Sequence, residues 1–162
     1  MDQLWFGFIQ LIVAVVLGAI AAYLALFLYQ WFTRGVDEWQ MLRDGNAAVG
    51  IVLGALLVAV AIILRPALAV DSSTWDVGSS DFGQVLLTET LQLVIGLVLA
   101  VVILEIALFL FAALTRGIDE VAELKKGNLA VAGLLAGVLI GMGVMVSPAV
   151  GEIMRLVASL LF

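Results

Sequence analysis

The chain has 162 residues, of which 65% are hydrophobic and 12% charged, with a net charge of −6 at neutral pH. Charged residues make up about a quarter of a soluble domain, so this composition indicates an integral membrane protein. Cysteine and histidine are absent, which excludes disulfides, thiolate or imidazole metal ligands, and Cys or His catalysis. The acidic balance argues against nucleic-acid binding. We therefore expect a non-enzymatic protein with no catalytic residues, metal or cofactor.

The first predicted element is a long apolar segment, Leu4 to Phe32, which is interrupted only by Gln10 and Gln30. As a helix it would be roughly 43 Å long at about 1.5 Å per residue, which exceeds the ~30 Å hydrocarbon core of a bilayer. We expect it to cross the membrane with a tilt or to protrude. The acidic start at residues 1–3 is unlike a signal peptide, so we expect this segment to stay in the mature protein.

A charged segment follows at 33–46, with the sequence TRGVDEWQMLRDGN. Asp37 to Leu42 suits about two helical turns, with acids at the start and Arg43 at the end, as the helix dipole favours. Gly45 suits a C′ position with positive φ, and Asn46 suits the N-cap of the next helix. We expect this first charged turn to close a helical hairpin.

Three further apolar segments predict three more transmembrane helices: Ala47–Leu64, Leu86–Leu114 and Ala130–Val146. A proline follows the first and the last of these, and Pro66 and Pro148 are each expected to end a span. Residues 149–162 place Glu152, Arg155 and Ser159 on one helical face. This pattern predicts a short amphipathic helix in the membrane interface.

A second charged turn at 115–128, TRGIDEVAELKKGN, repeats the first one 82 residues later without a gap. The match extends into the flanking apolar segments and aligns Pro66 with Pro148. We therefore predict an all-α integral membrane protein with four transmembrane helices in two parallel-oriented helical hairpins. The predicted parts are a first repeat at 1–68, an acidic outer loop at 69–85, a second repeat at 86–148 and an amphipathic C-terminal segment at 149–162.

The distribution of basic residues predicts the orientation. Five of the seven lie in the charged turns: Arg34, Arg43, Arg116, Lys125 and Lys126. By the positive-inside rule, the 33–45 and 115–127 loops are cytoplasmic and both termini lie outside. Since each repeat crosses the membrane twice, a pseudo-twofold axis along the membrane normal should relate the two copies.

The run Asp37 to Arg43, followed by Asn46 to Ala48 and a glycine-bearing span, resembles the YjfL-like family of bacterial inner-membrane proteins, catalogued as domain of unknown function 350. The second copy has Val121 where the first has Trp39. The resemblance implies two tandem copies of a two-helix unit in the bacterial inner (plasma) membrane. It also implies a link to membrane stress, because family members are often encoded beside phage-shock-type membrane-remodelling proteins. It implies no agreed biochemical activity.

Glu105 is the sharpest candidate for a functional residue. It lies about nine residues, or roughly 13 Å, from the end of its span, where an acid costs about 2.5 to 3.5 kcal/mol. Two interpretations follow: a cation or proton site between helices, or a protonated carboxyl that is hydrogen-bonded to a backbone or hydroxyl group of a neighbouring helix. Tyr23 occupies the equivalent position in the first repeat. Three polar residues complete the candidate ion or proton site, as vestibule groups or as interhelical hydrogen-bonding groups: Glu89, Gln92 and Gln10.

Glycines spaced four apart predict close helix packing, because small residues let two helix backbones approach. The candidate helix-packing residues are Gly50, Gly54, Gly133, Gly137 and Gly141, with Gly143 added. The alternative is that glycine is simply common in membrane helices.

The charged turns carry a candidate cytoplasmic contact surface: Asp37, Glu38, Trp39, Asp119 and Glu120. Our first functional hypothesis is an oligomeric membrane scaffold or adaptor whose partners are membrane lipids, further copies of itself and a cytoplasmic membrane-stress protein. The alternative is a small cation- or proton-permeable channel or transport oligomer that uses Glu105.

Overall fold

The computed structural model describes residues 2–32, 37–68, 82–115, 117 and 119–161. Across these ranges the chain is helical and contains no strand. The helices are α1 (Asp2–Phe32), α2 (Glu38–Arg43), α3 (Ala47–Leu68), α4 (Phe82–Leu114), α5 (Glu120–Lys125) and α6 (Leu129–Leu161). The all-helical fold is therefore confirmed. Most of the predicted outer loop at 69–85 lies outside the described residues.

Three of the helices contain segments that are long and apolar enough to cross a membrane: Ala47–Pro66, Thr90–Leu114 and Leu129–Val157. The described part of α1 contains a shorter apolar segment, Val15–Phe27. Several apolar helices in one chain are typical of a multi-pass membrane protein. The arrangement of four crossings stays a prediction.

Helix α3 lies at the centre of the fold, because it contacts α1, α4 and α6 as well as the short helices α2 and α5. Its most extensive contact is with α6. Ten of its side chains are buried hydrophobic residues: Ala48, Val49, Val52, Leu53, Ala55, Leu56, Ala59, Val60, Ile63 and Leu64. The central helix thus forms a large part of the core.

The two hairpins do not pack equally around this centre. Helix α4 packs against both α3 and α6, whereas α1 packs mainly against α3 and α4. A strict twofold relation between the repeats would instead give α1 and α6 a contact as extensive as that between α4 and α3. The duplicated sequence therefore produces an asymmetric bundle, and α6 keeps one face free of the other helices.

Helix α6 continues through Pro148, where the sequence predicted the end of a span and a separate helix over 149–162. A proline inside a helix costs about 3 kcal/mol or more. In α6, Val150 and Met154 lie beyond the proline and are buried in the core. The packing of this last part of α6 offsets the lost hydrogen bond, so one helix takes the place of the two that were predicted.

Candidate functional site

Each charged turn contains an aspartate that caps a short helix. The side chain of Asp37 accepts a hydrogen bond from the Gln40 backbone N–H at 2.9 Å, and Asp119 accepts one from the Ala122 backbone N–H at 2.9 Å. An aspartate at this position satisfies an N–H group that has no partner within the helix. The repeated aspartates therefore have a local structural role in addition to any role in binding.

The end of each charged turn has the geometry that the Gly-Asn pair predicts. Gly45 and Gly127 adopt positive φ values of 79° and 77°. The Asn46 side-chain oxygen accepts hydrogen bonds from the backbone N–H groups of Ala48 at 3.0 Å and Val49 at 3.2 Å. The tight turn and the N-cap are both confirmed.

The two charged turns contact each other through Asn46. Its side-chain amide donates to the backbone carbonyl of Leu124 at 2.8 Å, in the last turn of α5. The equivalent residue, Asn128, instead donates within its own turn to the Glu123 carboxylate at 2.7 Å. The Asn46 amide therefore joins the repeats, whereas the Asn128 side chain bonds to its own turn and to the start of α6. Through Asn46 the two charged turns form a single composite surface.

The candidate contact residues differ sharply in exposure. Trp39 is 47% exposed and Val121, at the equivalent position, is 46% exposed. By contrast, Glu38 is only 5% exposed, and the half-buried Glu120 accepts a hydrogen bond from the Thr115 hydroxyl. The exposed apolar part of the composite surface is thus Trp39 and Val121, and Glu38 does not belong to it because its side chain is buried.

The second charged turn also holds an ion pair between Glu123 and Lys126, with 2.7 Å between their charged atoms. The Asn128 amide, followed by the Lys126 ammonium, lowers the pKa of Glu123 below its ordinary value. The Glu123 carboxylate in turn raises the pKa of Lys126. Each group therefore favours the charged form of the other.

The structure places Glu105 at the border between the packed and open faces of α4. Glu105 is half-buried, and the preceding Leu104 is fully buried. Within the described part of the chain, its carboxyl has no hydrogen-bond partner. Gln92 is also half-buried, but it lies thirteen residues before Glu105, about 20 Å along the helix axis. The structure therefore does not bring these two residues together, and the side chains of Gln10 and Glu89 lie outside the described residues.

The predicted glycine stripe on α6 does not mediate packing within the chain. A Cβ atom added at Gly133, Gly137 or Gly141 would meet no atom within 4 Å, and the same holds for Gly54. At Gly50 an added Cβ would be in ordinary contact, 3.4 Å from the Leu42 side chain. The stripe lies instead on the free face of α6.

Close packing occurs on the opposite side of α6, where Gly143, Ser147 and Gly151 face α3. A Cβ at Gly143 would lie 3.0 Å from the Cα of Ala59, and one at Gly151 would lie 3.1 Å from the Cβ of Pro66. These three small residues are also spaced four apart, and they are offset from the predicted stripe by two residues, or about 200°. The sequence pattern indicated Gly143 but not Ser147 or Gly151, and Gly151 lies beyond Pro148, where the helix was expected to end.

Within the described part of the chain, no group of three or more Asp or Glu residues is placed to hold a metal ion. The composite surface and the Glu105 position are therefore the two candidate sites that the described residues offer.

Comparison with known proteins gives one family match. The family model described as Domain of Unknown Function (DUF350) matches residues 3–88 and again residues 83–162. The two matches confirm the tandem repeat, and the second includes the residues of α6 that follow Pro148. No curated protein and no solved structure matches the chain.

Proposed function

We propose a function for this chain, which belongs to the family Domain of Unknown Function (DUF350), from the geometry of its own residues. It is a non-enzymatic scaffold or adaptor of the bacterial inner membrane that assembles into an oligomer. It presents its two charged turns, as one surface, to a cytoplasmic protein of the membrane-stress response. The connection to membrane stress rests on the family resemblance described above.

The observation that carries this proposal is the bond from Asn46 to the Leu124 carbonyl. Because this bond joins the two turns, it fixes α2, with Trp39, next to α5, with Val121. Both side chains stay about half exposed. Aromatic residues that are held in place and half exposed are frequent anchors of protein interfaces. The composite surface thus combines an apolar anchor with the capped, charged helices α2 and α5.

The basic residues support a cytoplasmic location for this surface. The natural chain contains no cysteine, so single cysteines are direct reporters of sidedness. We expect a cysteine at the exposed Lys125 to resist a membrane-impermeant maleimide in intact spheroplasts and to react after permeabilisation. Labelling of intact cells would contradict the cytoplasmic orientation.

Site-specific photo-crosslinking in cells tests the docking itself. We expect a photoreactive residue at position 39 to form an adduct with a soluble membrane-stress protein. The matched control is Val58, which is also 47% exposed but lies on the membrane-spanning part of α3. A soluble-protein adduct only from position 39 supports the docking surface. No adduct from position 39, or equal adducts from both positions, would overturn it.

The alternative function is permeation by cations or protons through an oligomer. It is favoured by one observation, the half-buried Glu105 carboxyl without a hydrogen-bond partner in the described residues. Acids in membrane spans commonly mark ion or proton routes. Ion flux in reconstituted vesicles tests this alternative, because Glu105→Gln removes the charge while keeping the size of the side chain. Unchanged flux in this variant would rule out a route that depends on the Glu105 charge, and no flux through the natural chain would rule out permeation itself.

A further inference from the structure

The side chain of Glu105 lies at the edge of an apolar face that no other helix covers within the described part of the chain. Val98, Val102 and Phe109 all lie within about 60° of it around the helix. These three residues are exposed on the surface of the chain, and Phe109 is 73% exposed. Glu105 is therefore accessible from outside the bundle, on the side where a lipid chain or another protein would contact α4.

A carboxyl at this depth requires a hydrogen-bonding partner. The membrane-spanning segment of α4 ends at Leu114, which places Glu105 roughly 13 Å from that end. Lipid headgroups lie outside the hydrocarbon core, so they do not supply a donor at this depth. The described part of the chain supplies none either. Another molecule that is itself embedded in the membrane can supply this partner.

We propose that two copies of the chain pair through the exposed face of α4, with the two Glu105 carboxyls hydrogen-bonded to each other across a twofold axis. A protonated carboxyl contains both a donor and an acceptor, so it is complementary to a second copy of itself. A twofold interface places a residue near the axis against its own copy. A dimer is thus the smallest assembly in which the Glu105 carboxyl has a hydrogen-bond partner without any further component.

The residues around Glu105 on α4 are suited to a helix–helix interface between two copies. Val98 and Val102 lie on one side of Glu105 along the helix and Phe109 on the other, so exposed apolar residues flank the carboxyl in both directions. In a membrane, hydrogen bonds between polar side chains hold helices together. The inference rests on the self-assembly in the proposed function and assigns it to a particular surface and residue.

The experiment measures dimerisation of the full chain by Förster transfer between labelled copies in lipid vesicles, as a function of protein-to-lipid ratio. We expect Glu105→Leu to weaken dimerisation on the order of tenfold, because it removes both carboxyls of the hydrogen-bonded pair. Glu105→Gln should dimerise as the natural chain does, because a carboxamide also donates and accepts. A parallel control, Gly137→Leu, alters the free face of α6 and should leave dimerisation unchanged.

Disulfide trapping provides a second readout that does not depend on changing Glu105. We expect Phe109→Cys to form a cross-linked dimer on oxidation, while Val58→Cys on α3 does not. A dimer that persists at full strength in Glu105→Leu, or that cross-links at position 58 and not at 109, would overturn this inference while leaving self-assembly intact. Equal losses of dimerisation in Glu105→Gln and Glu105→Leu would overturn the proposed hydrogen bonding between the two protonated Glu105 carboxyls. A natural chain that stays monomeric would contradict self-assembly itself.

Discussion

The hydroxyl of Ser147 donates a hydrogen bond to the backbone carbonyl of Ile62 at 2.8 Å. This carbonyl lies four residues before Pro66, which has no N–H group to donate to it within the helix. Helix α6 therefore supplies the hydrogen bond that the proline removes from α3. An unpaired carbonyl is costly in a membrane-spanning segment, because lipid chains offer no donor.

We expect Ser147→Ala to lower the free energy of unfolding by about 1 to 3 kcal/mol, because it leaves the Ile62 carbonyl without a partner. The loss should be smaller when Pro66→Ala is also present, since an alanine N–H group can bond to this carbonyl within α3. Reversible unfolding of the four variants in bicelles measures the coupling. Strictly additive losses would show that the serine and the proline act independently.

The seam between α3 and α6 predicts a contrast between two glycines of the same helix. We expect Gly143→Ala to destabilise the chain by about 1 to 3 kcal/mol, the range for overpacking, because its Cβ would press on the backbone of Ala59. Gly137→Ala should be neutral or stabilising, since its added Cβ meets open space. Unfolding in the same bicelles compares the pair, and equal losses would refute the assignment of this seam.

Asn46 is expected to matter for the composite surface in a way that Asn128 does not. Asn46→Ser keeps an N-cap oxygen but removes the amide that donates to the Leu124 carbonyl. We expect this loss to lower the free energy of unfolding by about 1 kcal/mol. Spin labels at positions 39 and 121 should report a broader distance distribution in this variant. Asn128→Ser is the matched control because its amide bonds within its own turn, and it should leave the distribution unchanged.

The ion pair of the second charged turn predicts that the stability of this turn depends weakly on pH. Because the pKa of Glu123 is lowered in the folded chain, its interactions stabilise the turn above the ordinary glutamate pKa. That stabilisation is lost as the pH falls through the lowered value. We expect Asn128→Ser to raise the pKa of Glu123, since the Asn128 amide is the main cause of the shift. Carbon NMR titration of labelled glutamate in nanodiscs measures this change, and an unaltered titration midpoint would contradict it.

The charged turns were largely predictable because their geometry depends on neighbouring residues. A glycine with positive φ and an asparagine N-cap follow from local sterics and hydrogen bonding, so Gly45 and Asn46 could be assigned without the rest of the fold. The burial of Glu38 was not predictable in this way. It depends on how α2 packs, which its own short sequence does not specify.

Composition, repeat and local turn chemistry by themselves determined that the chain is all-helical, rich in apolar segments suited to a membrane, and duplicated. These properties depend on residue type and spacing along the chain. Only the tertiary structure decided that α6 runs through Pro148, that Gly143 packs closely on α3 while Gly137 does not, and that Glu105 borders an open face. Each of these depends on which side of a helix meets another helix, and contacts between residues far apart in sequence decide that.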